Sequence, residues 1–186
     1  MGKLRDVVVL IAIAVVFALS LAMFRSAVGL ASPWFGLMLM LVFLGLVAFA
    51  RPLFLLRLPG FLRKVRAWEA KGALYKALGV PAFGALLRRT PLRHLNPMVY
   101  LSRHAEGTSA VLAQLESAEA AHLVAAALIV PYIILACVRG WASAVAWLVV
   151  LQIGFNLYPI LHLRWARIRL NRVQEKMISQ RAQGAR

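Results

Sequence analysis

The sequence predicts an all-α membrane protein with four transmembrane helices and amphipathic interfacial helices between the second and third. Three observations carry that reading. The 186 residues are 62% hydrophobic with only six acidic side chains, too apolar and too poor in charge of both signs for the surface of a soluble domain. The apolar residues are gathered into four long runs, at about 7–24, 34–50, 118–138 and 142–163. The cations, which give a net charge of +16, lie between and beyond those runs. Their distribution also argues against nucleic-acid binding, because a basic nucleic-acid module covers a soluble fold with its charge, whereas here Lys and Arg flank apolar segments.

In chain order, Val7 to Phe24 is an apolar run of 18 residues, free of charge and with Ser20 as its one polar side chain. At 1.5 Å per residue it reaches about 27 Å, close to the thickness of a bilayer core. A signal peptide would have a shorter apolar region and a small-residue cleavage site; the run is expected to be a retained helix. A turn containing Gly29 and Pro33 leads to Trp34, an interfacial aromatic, and to the second run, which Arg51-Pro52 stops. These two helices are expected to form an antiparallel hairpin.

Residues 51–117 carry 11 of the 22 cations. Their apolar clusters alternate with Arg57, Arg63, Lys64 and Arg66, a pattern that suits a segment in the headgroup layer with its cations reaching to phosphates. Trp68 to Val80 predicts an amphipathic helix ended by Gly79 and Pro81, and Ala82 to Arg89 a second short one broken by Thr90-Pro91. His94 to Pro97 reads as a turn. From Thr108 a helix is predicted unbroken to Val138, long enough that its first turns project from the bilayer. After Arg139-Gly140 the fourth run extends to about Leu163, with a kink expected at Pro159, which removes the hydrogen bond to the Phe155 carbonyl. A basic tail, 164–186, follows.

By segment, Lys and Arg number 2 at the N-terminus, 1 in the first loop, 11 in the middle segment, 1 in the third loop and 7 in the tail. The positive-inside rule then places both termini and the middle segment in the cytoplasm. With no internal repeat and no low-complexity tract, the chain is read as a single integral membrane domain, residues 1–186.

Chemistry is sparse. Glu116, Glu119 and His122 share one helical face, and a carboxylate beside an imidazole fixes its tautomer and raises its basicity, as a general base for a hydroxyl requires. The alternative is that these acids offset the surrounding arginines. Gln152 and Asn156, four apart, put two amides on one face at membrane depth, either to join helices or to hold a polar headgroup. His162, with Arg164 and Arg167 beyond it, either contacts phosphate or anchors the helix end. Glu69 either pairs with a neighbour such as Arg66 or serves chemistry. His94 and His104 begin no HxxxxD motif, since Val99 and Ser109 stand five residues on. The four histidines lack metal-ligand spacing, and there is no Walker, GxGxxG or GxSxG pattern, so neither metal nor cofactor is expected. The lone Cys137 excludes a disulfide framework.

Three stretches, WEAKGALYKALGVPAFGALLRRTPLR, ESAEAAHL followed by the proline of IVPY, and NLYPILHLRWARIRL, resemble in that order the glycosyl-4,4'-diaponeurosporenoate acyltransferase family over Trp68 to Val173. The family consists of small bacterial membrane proteins whose founding activity transfers a fatty acyl group onto the sugar of a glycosylated carotenoid. The matching polar positions are Glu69, Tyr75, Glu119, His122, Asn156, Pro159 and Arg164. The chain departs from the family in two places. Leu-His-Leu-Arg-Trp-Ala-Arg, 161–167, stands where a QRYNR-like string is usual, and Ala82-Phe83-Gly84 stands where a Trp-Lys pair is usual.

The resemblance implies a bacterial inner-membrane acyltransferase with an acyl donor and a glycolipid acceptor. In it His122, oriented by Glu119, would deprotonate the acceptor hydroxyl. Arg164 and Arg167 would hold an anionic donor, and Gln152 and Asn156 the sugar or developing oxyanion, with Glu69, Tyr75 and His162 completing the substrate contacts. The other reading of the same residues is a non-enzymatic lipid-binding or assembly subunit. Its partners would be membrane lipids including anionic phospholipids, and a protein partner or a second copy of the chain. A channel or transporter fits less well, because so few polar side chains lie within the spans.

Overall fold

The computed structural model describes residues 2–51, 56–91 and 108–184; the turn expected at 94–97 and His104 lie outside them. Among the described residues the chain is helical, with no strand. Four helices are long and apolar enough to cross a membrane, Leu4–Val28, Pro33–Ala50, Ser109–Val138 and Ala142–Glu175, which bears out the expected class and number of spans. The chain divides into two compact units. One joins Met1–Leu56 to Ala120–Leu157, and the other joins Arg57–Glu119 to Tyr158–Arg186.

The first unit holds α1 (Gly2–Val28) and α2 (Pro33–Ala50). The connection turns at Gly29, whose φ of 78° lies in the left-handed region, and Ser32 caps α2 by accepting from the Trp34 N–H at 3.3 Å. The pair is the antiparallel hairpin the sequence predicts: the Phe17 ring lies over Gly45 and meets Phe49 at 6.4 Å, while Leu21 and Phe24 pack nearer the turn against Phe35 and Leu39. The same unit contains α7 (Thr108–Val138) from Ala120 onward, and α8 (Ala142–Gln152) with the π-helical turn Ile153–Leu157 that follows it. Its core is Phe35, Leu39, Met40, Ile129, Tyr132, Leu148 and Leu151. Gly36 lets α2 and α8 close up, since a Cβ there would sit 3.0 Å from the Leu148 Cδ2. Tyr132, on α7, meets Phe35 edge-on at 5.5 Å and donates its hydroxyl to the Leu30 carbonyl. No part of the apolar stretch of α1 is buried, as suits a helix whose surroundings are lipid tails.

The second unit contains four short helices, α3 (Gly60–Arg63), α4 (Ala67–Lys71), α5 (Ala73–Ala77) and α6 (Val80–Arg89), with the start of α7 and with α9 (Tyr158–Gly184). Two expectations need correction here. The helix predicted over Trp68 to Val80 is broken at Gly72, whose φ of 74° ends α4 and starts α5. Pro81 does not end a helix; it occupies the first turn of α6, where its missing N–H costs nothing. Close to the kink expected at Pro159, the α-helical pattern is interrupted. The irregular turn is Ile153–Leu157, just upstream, and Pro159 lies in the first turn of α9. Helix α7 runs from Thr108 to Val138 through Pro131, with the 31 residues the sequence predicts.

Candidate functional site

Most of the polar residues singled out in the sequence fall into two groups, one in each unit. In the second unit Arg164, on the inner face of α9, is the centre. Its Nε donates to Glu69 Oε1 at 2.7 Å and its Nη2 to Glu69 Oε2 at 3.0 Å, a bidentate pair. Its Nη1 donates to Glu119 Oε1 at 3.0 Å and to the Leu62 carbonyl, and its Nη2 also reaches the Lys64 carbonyl at 3.2 Å. All five guanidinium N–H groups are therefore engaged. The two carboxylate side chains are 6% and 3% exposed. Glu69 does not form the expected ion pair with Arg66: it accepts only the Arg66 backbone N–H, at 2.8 Å, and its charge is met by Arg164, 95 residues away.

Arg167 places Nη2 3.0 Å from Glu119 Oε2, close enough for ionic attraction but outside hydrogen-bond alignment, and its Nη1 donates to the Arg63 carbonyl at 3.4 Å. One turn before Glu119, Glu116 Oε1 accepts from Arg63 Nε at 2.9 Å and from the Leu58 N–H at 3.1 Å. Three carboxylates are thus matched by three arginines. The hydrogen bonds tie the loop around α3 and α4 to α7 and α9.

Tyr75 lies beneath this network. It donates to Glu69 Oε1 at 3.4 Å and stacks on Trp165 with ring centroids 5.3 Å apart. Burial, then the neighbouring Glu69 charge, pushes the Tyr75 phenol up to about 12. Burial also works to raise the Glu69 carboxyl, but the Arg164 hydrogen bond and charge, the Arg66 N–H and the Tyr75 hydroxyl outweigh it and hold Glu69 below the ordinary carboxylate range. Trp165 and Gly72 were not singled out in the sequence, yet they complete the packing: a Cβ at Gly72 would sit 2.3 Å from the Trp165 ring. A glycine inside a predicted helix was the available signal.

His162 also lies in the second unit, away from the carboxylates. Its ring meets Phe83 edge-on at 6.0 Å and presses against Gly84, where a Cβ would come within 2.4 Å of Cε1. The Ala82-Phe83-Gly84 departure thus makes room for an imidazole. Tyr158 meets Phe83 at 5.4 Å and donates to the Leu78 carbonyl at 3.0 Å, fixing α6 against α9.

The first unit gathers His122, Gln152 and Asn156. Gln152 Nε2 donates to the Ala126 carbonyl at 3.1 Å, joining α8 to α7. The Asn156 amide is buried against the Gln152 amide and the Met40 sulfur. The His122 imidazole lies beside Asn156 and Phe155, and its buried Nδ1 makes no hydrogen bond among the described residues. Turning the Asn156 amide over would aim its N–H groups at the His122 and Phe155 carbonyls, at 3.2 and 3.3 Å, and would link the π turn to α7. The π turn presents Asn156 in this way, because its extra residue rotates the side chains that follow. Glu119 was expected to orient His122. Instead its oxygens are directed to Arg164 and Arg167, and the imidazole lies beside Asn156 and Phe155. The described residues contain no group of His, Cys, Asp and Glu side chains suited to a metal ion.

The architecture defines a helical integral membrane protein with a buried Glu and Arg network and a histidine beside a pair of amides. The family model for glycosyl-4,4'-diaponeurosporenoate acyltransferase matches residues 59–176, a stretch that includes both groups except Met40 and Leu58, and the chain belongs to that family. No curated protein and no solved structure matches the chain.

Proposed function

We propose that the chain is an integral membrane acyltransferase. It moves a fatty acyl group onto a hydroxyl of a glycosylated isoprenoid lipid, carotenoid or other, at the cytoplasmic leaflet of the bacterial inner membrane. The observation that carries this reading is membership of a family named for acyl transfer to a glycosylated diaponeurosporenoate, over the segment that holds the polar groups.

His122 is the base. An imidazole nitrogen takes the proton of the acceptor hydroxyl as its oxygen forms a bond to the acyl carbonyl carbon. The bond to the donor's leaving group then breaks, and the proton passes to that group. Asn156 lies beside the imidazole and, with its N–H groups engaged by Gln152 and Met40, packs the π turn and leaves no free donor for an oxyanion. Arg164 has a different role from the one its family position implied. With every N–H engaged it has none left for a donor phosphate, so together with Glu69, Glu119 and Arg167 it positions the fold. Gln152 joins helices through Ala126.

The test is expression of the chain in a strain that makes glycosylated isoprenoid lipids, with lipid mass spectrometry of its membranes. The expected result is a glycolipid heavier by one acyl chain; a lipid profile identical to that of the empty strain refutes the activity.

One observation favours a second reading, a lipid-binding or assembly subunit: the carboxylates of Glu69 and Glu119 are both occupied by arginines and not free for chemistry. That reading predicts a stoichiometric partner on purification and a function that survives loss of His122.

A further inference from the structure

Residues 56–91 have a marked imbalance of charge on their surface. Every Lys and Arg side chain in this stretch is exposed, and the one acid, Glu69, is buried with its charge met by Arg164. Arg57, Lys64, Lys71 and Lys76 therefore present positive charge with no acid of the same stretch at the surface to offset it. Large apolar side chains stand among them: Phe61 is 71% exposed, Trp68 52% and Leu86 57%. A surface made only for water would not display a Phe, a Trp and a Leu on short helices, and one made only for a polyanion has no use for them.

Cations with flexible stems interleaved with aromatic and aliphatic side chains fit a layered partner, anionic at the outside and apolar a few ångströms deeper. In a chain with four helices able to cross a membrane, a bilayer surface of that kind is always at hand. We propose that the outer face of α3 to α6 is a docking surface for anionic phospholipid. Phe61, Trp68 and Leu86 enter the acyl boundary, and Arg57, Lys64, Lys71 and Lys76 take the phosphates. The burial of Glu69 serves this surface, because withdrawing the stretch's one carboxylate leaves no repulsive group on it. The inference stands whether or not the chain transfers acyl groups.

The test uses the full chain in phosphatidylcholine vesicles, with spin-labelled phosphatidylglycerol and spin-labelled phosphatidylcholine as probes of lipid contact. A cation near an anionic lipid surface favours binding by about fivefold, and the attraction is screened by salt. The expected result is a preference for phosphatidylglycerol of about that size or more, declining as salt is raised and falling toward unity in the Arg57→Gln, Lys64→Gln, Lys71→Gln, Lys76→Gln variant. Each of those four side chains is exposed, so the thermal melt of the variant is expected to match the wild type. Equal contact of wild type with both lipids overturns the proposal, as does a preference insensitive to salt; these wild-type readings do not depend on the variant folding. Selectivity retained in a well-folded variant overturns it too. So does displacement of the lipid preference by an acidic soluble protein, which would assign the surface to a protein partner.

Discussion

Replacing Arg164 by Gln removes the group on which the second unit is tied together. The side chain engages two carboxylates that are 6% and 3% exposed, and its five N–H groups also satisfy the Leu62 and Lys64 carbonyls. Breaking a buried ion pair by removing one partner costs about 3–5 kcal/mol, because the charge left behind is desolvated and uncompensated. For a chain of this length that corresponds to a fall in Tm on the order of 10 °C.

The dependence on pH has a definite sign. Glu69 is held below the ordinary carboxylate range in the fold, so it contributes stability that is present above that range and lost as pH falls through the depressed value. In the variant the upward push of burial is no longer opposed by Arg164, the protonated acid is favoured, and the deficit relative to wild type narrows as pH falls. Arg164→Lys restores the charge but offers three N–H donors in place of a planar five, and is expected to recover only part of the loss. Scanning fluorimetry of the purified protein in detergent, from pH 8 to pH 4, measures all three proteins. An Arg164→Gln protein that melts with the wild type at pH 8 refutes the reasoning.

Gly72→Ala forces a side chain into a φ of 74° and to 2.3 Å from Trp165, whereas Gly79→Ala meets the same left-handed strain at φ 70° with nothing within 4 Å. The first is expected to cost about 3 kcal/mol and to alter tryptophan emission, the second about 1 kcal/mol with emission unchanged; equal losses by thermal melt contradict the Trp165 packing. Tyr75, held up to about 12 against an ordinary value near 10, contributes stability fully present below pH 10 and lost as pH rises through 12. Absorbance titration of wild type against Tyr75→Phe is expected to show the late-titrating phenol missing from the variant, and a missing phenol that titrates near 10 contradicts the burial argument.

The parts of the fold that depend on local pattern were legible in the sequence. Helix α7 runs from Thr108 to Val138 because no glycine interrupts it, and Pro131 inside it removes only one of its hydrogen bonds. The hairpin of α1 and α2 follows from two apolar runs and a Gly-Pro turn. What failed were inferences from nearest neighbours. Arg66 was the close cation for Glu69 in sequence, but a five-residue helix can be pulled onto a distant guanidinium, and Arg164 offers a bidentate fork that a single backbone N–H does not. Likewise the spacing of Glu119 and His122 puts them on one face, yet helical spacing gives only an opportunity for contact, and the Glu119 carboxylate is taken by two arginines. Gly72 falls inside the helix expected over Trp68 to Val80, and the Trp165 ring, 93 residues on, explains why nothing larger fits there. The π turn at Ile153–Leu157 had Pro159 as its signal, but its position depends on how the preceding residues pack.

The central claim is that His122 is the base of an acyl transfer. The direct measurement is the amount of acylated glycolipid in membranes of a strain expressing wild type or His122→Ala, at matched protein levels and with the melting temperature of each recorded. The expected result is that the acylated glycolipid formed by the wild type is absent with His122→Ala while the variant remains folded. Undiminished product from a folded His122→Ala protein would contradict it.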